Sequence, residues 1–225
     1  MFSNRIEAGR RLAAELGRFK DEHPVVLALP RGGVPVGVEI ARALNAPLDL
    51  VLVRKIGAPF QPELAIGAVV DGSRPETVIN REIVEAFEIP ESYLSEESAR
   101  QLAEIERRRQ RYLAGRERAE IAGHTAIVVD DGIATGATML AALHATRRAG
   151  PKRLVLAVPV APPDTIERLR GEVDEVVCLE MPRFFGAIGA FYRDFHQLGD
   201  DDVIRLLEEA HAARASSQKD SGSPT

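Results

Sequence analysis

Two adjacent carboxylates precede a short hydroxyl-bearing loop in the segment IVVDDGIATGATM, residues 127–139. Asp130 and Asp131 follow an apolar run typical of a buried strand, and TMLAALHA after the loop has helical spacing. The loop itself consists of Thr135, Gly136, Ala137 and Thr138. Because it opens a helix, its exposed amides and the helix dipole favour a phosphate. A site for an anion alone would not place two acids beside it.

A sugar phosphate as ligand would account for both halves of this segment. Carboxylates accept paired hydrogen bonds from a vicinal diol, while the loop holds the phosphate. If a sugar carbon becomes cationic during a reaction, the same carboxylates stabilise the developing charge. A Walker P-loop is excluded, because no lysine follows Gly136.

The rest of the chain alternates between short apolar runs and helical segments. The runs VVLAL (25–29), LDLVLV (48–53), TAIVV (125–129), RLVLAVPV (153–160) and EVVCL (175–179) are typical of buried strands. Their near-continuous apolarity indicates a sheet covered on both faces. Segments with helical spacing, such as VPVGVEIARAL and PDTIERLRGEV, separate them. We therefore expect an α/β fold with a parallel sheet.

One long segment, residues 54–123, interrupts this alternation and is too long for an ordinary connection. It contains a stretch rich in glycine and proline, a hairpin pattern (AIGAVV…ETVI) and a long polar helix near residues 92–118. We expect a core formed by residues 1–53 and 124–212, with 54–123 inserted as a lid and a helical subdomain. The polar stretch 213–225 is expected to be a disordered tail.

The composition excludes several classes of protein. The net charge of −5 gives no overall attraction to nucleic acid or anionic lipid. The single cysteine, Cys178, excludes an internal disulfide framework and fits a reducing compartment. The N-terminal residues lack the apolar region of a signal peptide, and the longest apolar run, LVLAVPVAPP, is too short to cross a bilayer. A cytoplasmic protein without membrane contact is expected.

The segment VVDDGIATGAT resembles the 5-phosphoribosyl-1-diphosphate (PRPP) signature of type I phosphoribosyltransferases. This resemblance implies a three-layer parallel-sheet core with an inserted lid, or hood. It also implies a Mg²⁺-dependent pentosyltransferase that transfers phosphoribosyl from PRPP to a nitrogen acceptor, expected to be a nucleobase, and releases pyrophosphate. Asp130 and Asp131 would then be catalytic and hold the ribose hydroxyls, while residues 134–138 would bind the 5-phosphate. The alternative for the segment alone is an ordinary strand–loop–helix with an acidic cap.

A second stretch, ALPRGGVPVG, adds to the resemblance with Arg31, Gly32 and Gly33. By itself Arg-Gly-Gly fits an ordinary turn between a strand and a helix. In the family, a loop at this place binds pyrophosphate through its amides and a basic residue, and often contains a non-proline cis peptide. The resemblance therefore makes Arg31 a candidate catalytic residue and the two glycines candidate substrate-binding residues.

A third stretch, VRKIGAPFQPELAIG, follows the second strand. Arg54 and Lys55 resemble the family's basic pair at the base of a mobile hood. Their charge would stabilise a leaving group that becomes more negative in the transition state, with Lys55 as a candidate catalytic residue and Arg54 as a candidate binding residue. A surface loop with solvated charges is the alternative.

The acceptor is not fixed by the sequence. The segment CLEMPRFFGAIGAFYRDF resembles the region of 6-oxopurine phosphoribosyltransferases where an aromatic residue stacks on the base, and Phe185 falls nearest that position. A hydrophobic flap would explain the composition equally well. Those enzymes carry an acid before the first threonine of the phosphate loop, whereas this chain has Ala134. A 6-oxopurine acceptor is therefore disfavoured.

The sequence also bears on metal and macromolecular partners. The five histidines lack ligand spacing, so no protein-only metal site is expected. Magnesium would be held mainly by the substrate, with Asp130 or Asp131 as an additional ligand. The predicted helix 92–118 carries seven arginines and a narrow apolar stripe, which suits packing on the core or on a second subunit, as in a homodimer. Nucleic-acid binding is not expected, because glutamates partly neutralise the arginines.

Two alternatives to the enzyme remain at this point. A regulatory protein could keep the PRPP pocket and sense nucleotides without turnover. An unrelated sugar-phosphate hydrolase is less favoured, because no nucleophile or base is visible in the sequence.

Overall fold

The computed structural model describes residues 1–71 and 75–220 of the chain. In chain order its elements are α1 (Arg5–Leu16), β1 (Val25–Ala28), α2 (Gly33–Leu44), β2 (Leu48–Leu50), β3 (Val53–Ala58), β4 (Gln61–Val70), β5 (Glu76–Ile79), α3 (Arg81–Ala86), α4 (Glu91–Leu113), β6 (Thr125–Val129), α5 (Ala137–Arg148), β7 (Arg153–Val160), α6 (Pro163–Arg170), β8 (Glu175–Glu180) and α7 (Asp200–Asp220). Short 3-10 helices occur at Gly17–Glu22 and Ile188–Phe191.

The core is a five-stranded parallel sheet with the order β2-β1-β6-β7-β8. Successive residues of its central strands point to opposite faces of the sheet and enter two different apolar clusters. Val26 and Ile127 pack with α1, α2 and α7, whereas Leu27 and Val128 pack with α5 and α6. Helices therefore cover both faces of the sheet, and the predicted three-layer α/β core is confirmed.

The segment that interrupts the alternation forms a second sheet and two helices. Strands β3, β4 and β5 make a three-stranded antiparallel sheet, in which Gly67–Val70 pair with Glu76–Ile79 as the hairpin pattern predicts. Helix α4 is attached to this sheet, because the Tyr93 hydroxyl donates a 2.8 Å hydrogen bond to the carbonyl of Gly57.

Helix α4 ends earlier than predicted. We expected it to reach residue 118, but it stops at Leu113, because Ala114 and Gly115 adopt left-handed conformations with φ of 47° and 74°. Its apolar stripe, including Ile105 and Tyr112, packs into the same core cluster as β1 and α2. The stripe is therefore covered by this chain itself.

Buried charge also attaches α4 to the core. Arg109 is only 6% exposed, and its guanidinium donates hydrogen bonds of 2.7 Å to Asp71 and 3.0 Å to Asp49. Arg118 donates to Asp71 as well, at 3.0 Å. Of the seven arginines, Arg109 is therefore buried and joins α4 to the core by ion pairs, rather than lying on a solvated face.

The prediction of a disordered tail at 213–225 is wrong over its first part, because α7 continues to Asp220. The sequence there includes Ala, Arg, Gln and Lys, which are good helix formers, and the helix is already held by Val203 and Leu207 in the core. Ser216 donates to the carbonyl of Ala212 within the helix. Residues 221–225 lie outside the described part of the chain.

Among the residues that the structure describes, no helix is long and apolar enough to span a membrane.

Candidate active site

The acid pair lies at the carboxyl end of β6, where the parallel strand gives way to a loop. Asp131 is 7% exposed and Asp130 is half-buried. The Asp131 amide donates a 2.8 Å hydrogen bond to Oδ1 of Asp130. Burial, followed by the charge of Asp131, raises the pKa of Asp130 well above its usual value. Burial also raises the pKa of Asp131, against the opposing effect of Arg5.

Arg5, the first residue of α1, is the direct partner of Asp131. Its Nε donates to Oδ2 of Asp131 at 2.7 Å, and both side chains are about nine-tenths buried. The Tyr192 hydroxyl donates to the carbonyl of Asp131 at 2.5 Å. Sequence reasoning missed both partners, since each lies at least 61 residues away and neither belongs to a local motif.

The loop between β1 and α2 lies directly beside the acids, because β1 and β6 are parallel neighbours and end at the same edge of the sheet. A Cβ built on Gly32 would lie 2.2 Å from Oδ2 of Asp131, and one built on Gly33 would lie 2.7 Å from the carbonyl oxygen of Val129. Only glycine permits so close an approach. The Pro30–Arg31 peptide is cis, as the resemblance implies.

The loop between β6 and α5 presents donors at its surface. Gly136 has φ of 80°, and α5 begins at Ala137. Among the described residues, nothing accepts a hydrogen bond from the amides of residues 134–136 or from the hydroxyls of Thr135 and Thr138. The first amides of α5 add further donors, because the first turn of a helix leaves them without intrahelical partners.

Side chains of helix α6 hold this loop by donating hydrogen bonds to the carbonyl groups of the loop. The Thr165 hydroxyl donates to the carbonyl of Ala134 at 2.8 Å, and Arg168 donates to the carbonyl of Thr135 at 3.1 Å. The acceptors of the loop are therefore turned toward α6, while its amides stay available. The arrangement can bind an anion.

Arg31 lies at the surface next to the start of α7. Its Nη1 is 3.9 Å from Oδ1 of Asp200, which also accepts a 2.7 Å hydrogen bond from Tyr112. The Tyr112 hydroxyl, followed by Arg111 and Arg31, lowers the pKa of Asp200. The side chain of Arg31 is 42% exposed, so its guanidinium is accessible to a ligand.

Arg54 and Lys55 lie on β3, at one side of this arrangement. Arg54 donates to Gln101 of α4 at 2.8 Å, and burial, with nearby Arg108, lowers its pKa. Lys55 is exposed and lines a groove of about 550 Å³ between the β3–β4 turn and α4. Among the side chains that the structure describes, Lys55 has no ion-pair partner, and its predicted role at the leaving group stays a prediction.

Phe185 belongs to the segment that follows β8. It is partly buried and stacks on Phe191, with ring centroids 5.3 Å apart. Its neighbour Phe184 is 94% exposed. The same segment covers the acid loop, because a Cβ on Gly132 would lie 2.7 Å from the side chain of Ile188. The structure thus packs Phe185 into an aromatic cluster and presents Phe184 to solvent.

Three loops therefore meet at one edge of the parallel sheet: residues 30–33, residues 130–138 and residues 181–196. A cavity of about 590 Å³ between α5 and residues 118–122 contains none of the predicted site residues. In the described part of the chain, no group of three or more histidine, cysteine, aspartate or glutamate residues could hold a metal ion.

The chain is similar to known proteins in sequence. The family model described as "Phosphoribosyl transferase domain" matches residues 3–196. Two curated relatives from Mycobacterium tuberculosis, "Putative phosphoribosyl transferase MT0597" and "Putative phosphoribosyl transferase Rv0571c", are each 47% identical over 212 residues, which are 94% of this chain and 47% of the relative. The chain thus spans about half the length of these curated relatives.

A solved structure is similar over nearly its whole length. The crystal structure of TT1426 from Thermus thermophilus is 46% identical and superimposes with a TM-score of 0.80. The match covers 93% of this chain and 98% of that chain.

Proposed function

This chain belongs to the phosphoribosyl transferase family, and on that premise we propose that it transfers the phosphoribosyl group of PRPP to a nitrogen acceptor and releases pyrophosphate. The observation that carries the proposal is the contact between the Gly32 backbone and the Asp131 carboxylate. This contact brings a basic loop, an acid pair and a donor-rich loop to one edge of the sheet.

The 5-phosphate would lie at the N-terminus of α5. The free amides of residues 134–136, the first amides of the helix and the hydroxyls of Thr135 and Thr138 supply donors without a basic side chain. Because Thr165 and Arg168 hold the loop carbonyls on the opposite side, the donors are in place before the ligand binds.

The ribose would lie against Asp130 and Asp131. Their oxygens accept hydrogen bonds from the 2- and 3-hydroxyls, and their charge stabilises the anomeric carbon as it becomes cationic. Asp130 is the more accessible of the two acids. Burial and Asp131 raise the pKa of Asp130, and a nearby cation, or the developing positive charge itself, opposes that rise and favours the ionised form.

The pyrophosphate would lie over the β1–α2 loop. The Arg31 guanidinium and the amides of Arg31 and Gly32 would hold its oxygens, and Gly33 lets the loop stay close to the acids. Lys55, with Arg54 behind it, would reach the leaving group from β3 when the β3–β4 turn closes.

Magnesium fits the donors that are present. One oxygen of Asp130 accepts the Asp131 amide, and a carboxylate oxygen beside phosphate oxygens and water is a ligand set that magnesium prefers. When bound, the ion would neutralise charge on pyrophosphate as it departs.

The acceptor would be a flat nitrogen heterocycle, expected to be a nucleobase. Aromatic side chains after β8 suit such a ligand. Phe185 is the residue predicted to stack on it, and the exposed ring of Phe184 is a second candidate beside it.

The test is pyrophosphate release from PRPP and magnesium with a panel of purine and pyrimidine bases. We expect release that requires one of the bases and falls about 100-fold or more in Asp130→Asn. Asp201→Asn, whose side chain is 93% exposed, is the matched control and should retain activity. Binding of PRPP without any release would instead favour the nucleotide-sensing alternative.

A further inference from the structure

We propose that Arg5 is a positioning residue for the acid pair, and this inference rests on the proposed function. Its guanidinium binds the inner carboxylate, Asp131, and thereby fixes the orientation of the pair toward the ribose. Asp131 is the buried, charge-compensated acid of the pair, and Asp130 is the more accessible one.

Backbone pairing delivers Arg5 to this place. The amide of Phe2 donates to the carbonyl of Phe191 at 2.7 Å, and the amide of Arg193 donates back to the carbonyl of Phe2 at 2.9 Å. Asn4 then caps α1 by accepting a 2.9 Å hydrogen bond from the amide of Glu7. The first turn of α1 is therefore held against the segment that follows β8.

The guanidinium has three partners at once. Nε donates to Oδ2 of Asp131 at 2.7 Å, and Nη1 donates to the carbonyl of His196 at 3.0 Å. The guanidinium carbon also lies over the ring of Phe195, 3.8 Å from its centroid. A planar, permanently charged group can make all three contacts, whereas a lysine ammonium can replace only the charge.

Asp131 has little freedom once it is bound in this way. Arg5 lies on one side of its carboxylate, and the Gly32 backbone lies on another, where even a Cβ would be 2.2 Å from Oδ2. The Tyr192 hydroxyl also holds its carbonyl. Asp130 accepts a hydrogen bond from the adjacent Asp131 amide, so its position depends on that of Asp131.

The experiment measures pyrophosphate release by Arg5→Ala and Arg5→Lys. Misplaced acids cost most in the transition state, so we expect kcat of Arg5→Ala to fall roughly 10- to 100-fold, while KM for PRPP changes much less. Arg5→Lys should recover part of kcat. Millimolar guanidinium should do the same in Arg5→Ala, because it can occupy the vacated space beside Asp131.

Arg10→Ala is the matched control, because Arg10 lies on the same helix with 69% of its side chain exposed and pairs with Glu39. It should keep wild-type kcat and show no response to guanidinium. Circular dichroism checks that each variant is folded. If Arg5→Ala does not fold, the inference is tested with Arg5→Lys instead. A fall in kcat of Arg5→Lys that is larger, as a fold-change, than the rise in KM then supports the inference.

Wild-type kcat in Arg5→Ala would overturn the inference, as would a loss in a folded variant that neither lysine nor guanidinium restores. A wild-type protein that releases no pyrophosphate with any acceptor would contradict the proposed function itself. The two failures are therefore distinguishable.

Discussion

The Cα of Gly32 lies so close to the carboxylate of Asp131 that an added Cβ would be 2.2 Å from Oδ2 and 2.5 Å from Cγ. Two loops that are far apart in sequence thus share one surface. The spacing between the β1–α2 loop and the acid pair is set by the absence of a side chain at residue 32.

Gly32→Ala should therefore separate the two loops. We expect kcat/KM for PRPP to fall about 100-fold, with a loss of about 1–3 kcal/mol in the free energy of unfolding from overpacking. Gly17→Ala is the control, because nothing lies within 4 Å of the added Cβ and φ is an ordinary −52°. Steady-state kinetics and urea unfolding measure both effects. Wild-type kinetics in Gly32→Ala would show that the contact is not required.

Asp130→Asn should stabilise the protein at neutral pH while it removes activity. Burial and the charge of Asp131 raise the pKa of Asp130 in the folded state above its unfolded value. The folded state therefore binds more protons than the unfolded state in that window, and the free energy of unfolding falls as pH rises through it. Asparagine cannot ionise, so the stability advantage of Asp130→Asn over wild type should appear as pH rises above the ordinary pKa of an aspartate, about 4.

Asp174→Asn provides the opposite sign as a control. The hydrogen bond from Arg147 lowers the pKa of Asp174, so its contribution to stability is present above the unfolded pKa and is lost as pH falls through the folded value. Thermal unfolding without ligand, measured across pH, compares the two variants. A lower midpoint for Asp130→Asn than for wild type at neutral pH would refute this account of the acid pair.

Thr165→Val should loosen the β6–α5 loop, which is proposed to bind the 5-phosphate. The buried Thr165 hydroxyl holds the carbonyl of Ala134 at 2.8 Å, and its loss is expected to raise KM for PRPP about fivefold, equivalent to about 1 kcal/mol. Thr146→Val removes a similar buried hydroxyl that donates to the carbonyl of Ala142 inside α5. Thr146→Val should lower the free energy of unfolding by a similar amount and leave KM for PRPP unchanged. Equal KM changes in both variants would argue against a specific role for Thr165.

Arg109→Met should destabilise the protein by about 3–5 kcal/mol, because it leaves the buried carboxylate of Asp49 without its cation and that of Asp71 with Arg118 alone. Arg107→Met removes an exposed arginine from the same helix, paired only with Glu104 in the described structure, and should cost about 0–1 kcal/mol. Chemical denaturation compares the two variants. A small effect at Arg109 would mean that α4 is held mainly by its apolar stripe.

The parallel core could be predicted because its signals are local. Each strand is a short apolar run, and successive residues such as Leu27 and Ala28 enter different clusters, so continuous apolarity correctly indicated a sheet covered on both faces. The end of α4 could not be predicted in this way. Ala114 is a good helix former, and only its left-handed backbone, continued by Gly115, stops the helix.

In the candidate site, too, the residues of local motifs could be predicted and those brought in by tertiary packing could not. Asp130, Asp131, residues 134–138 and residues 31–33 belong to contiguous motifs, so the sequence alone could predict them as site residues. Arg5 is one arginine among many, and its pairing with Asp131 spans 126 residues and arises only from tertiary packing. The roles of Lys55 and Phe185 stay predictions, because the first lies in a neighbouring groove and the second packs within an aromatic cluster.

The most direct measurement is titration calorimetry of the wild-type protein with PRPP and magnesium, beside Asp130→Asn and Thr138→Val. One site that holds the ribose diol and the 5-phosphate together predicts saturable heat for the wild type and clearly weaker binding in both variants. Absence of heat with the wild type, or equal affinity in all three proteins, would contradict the account.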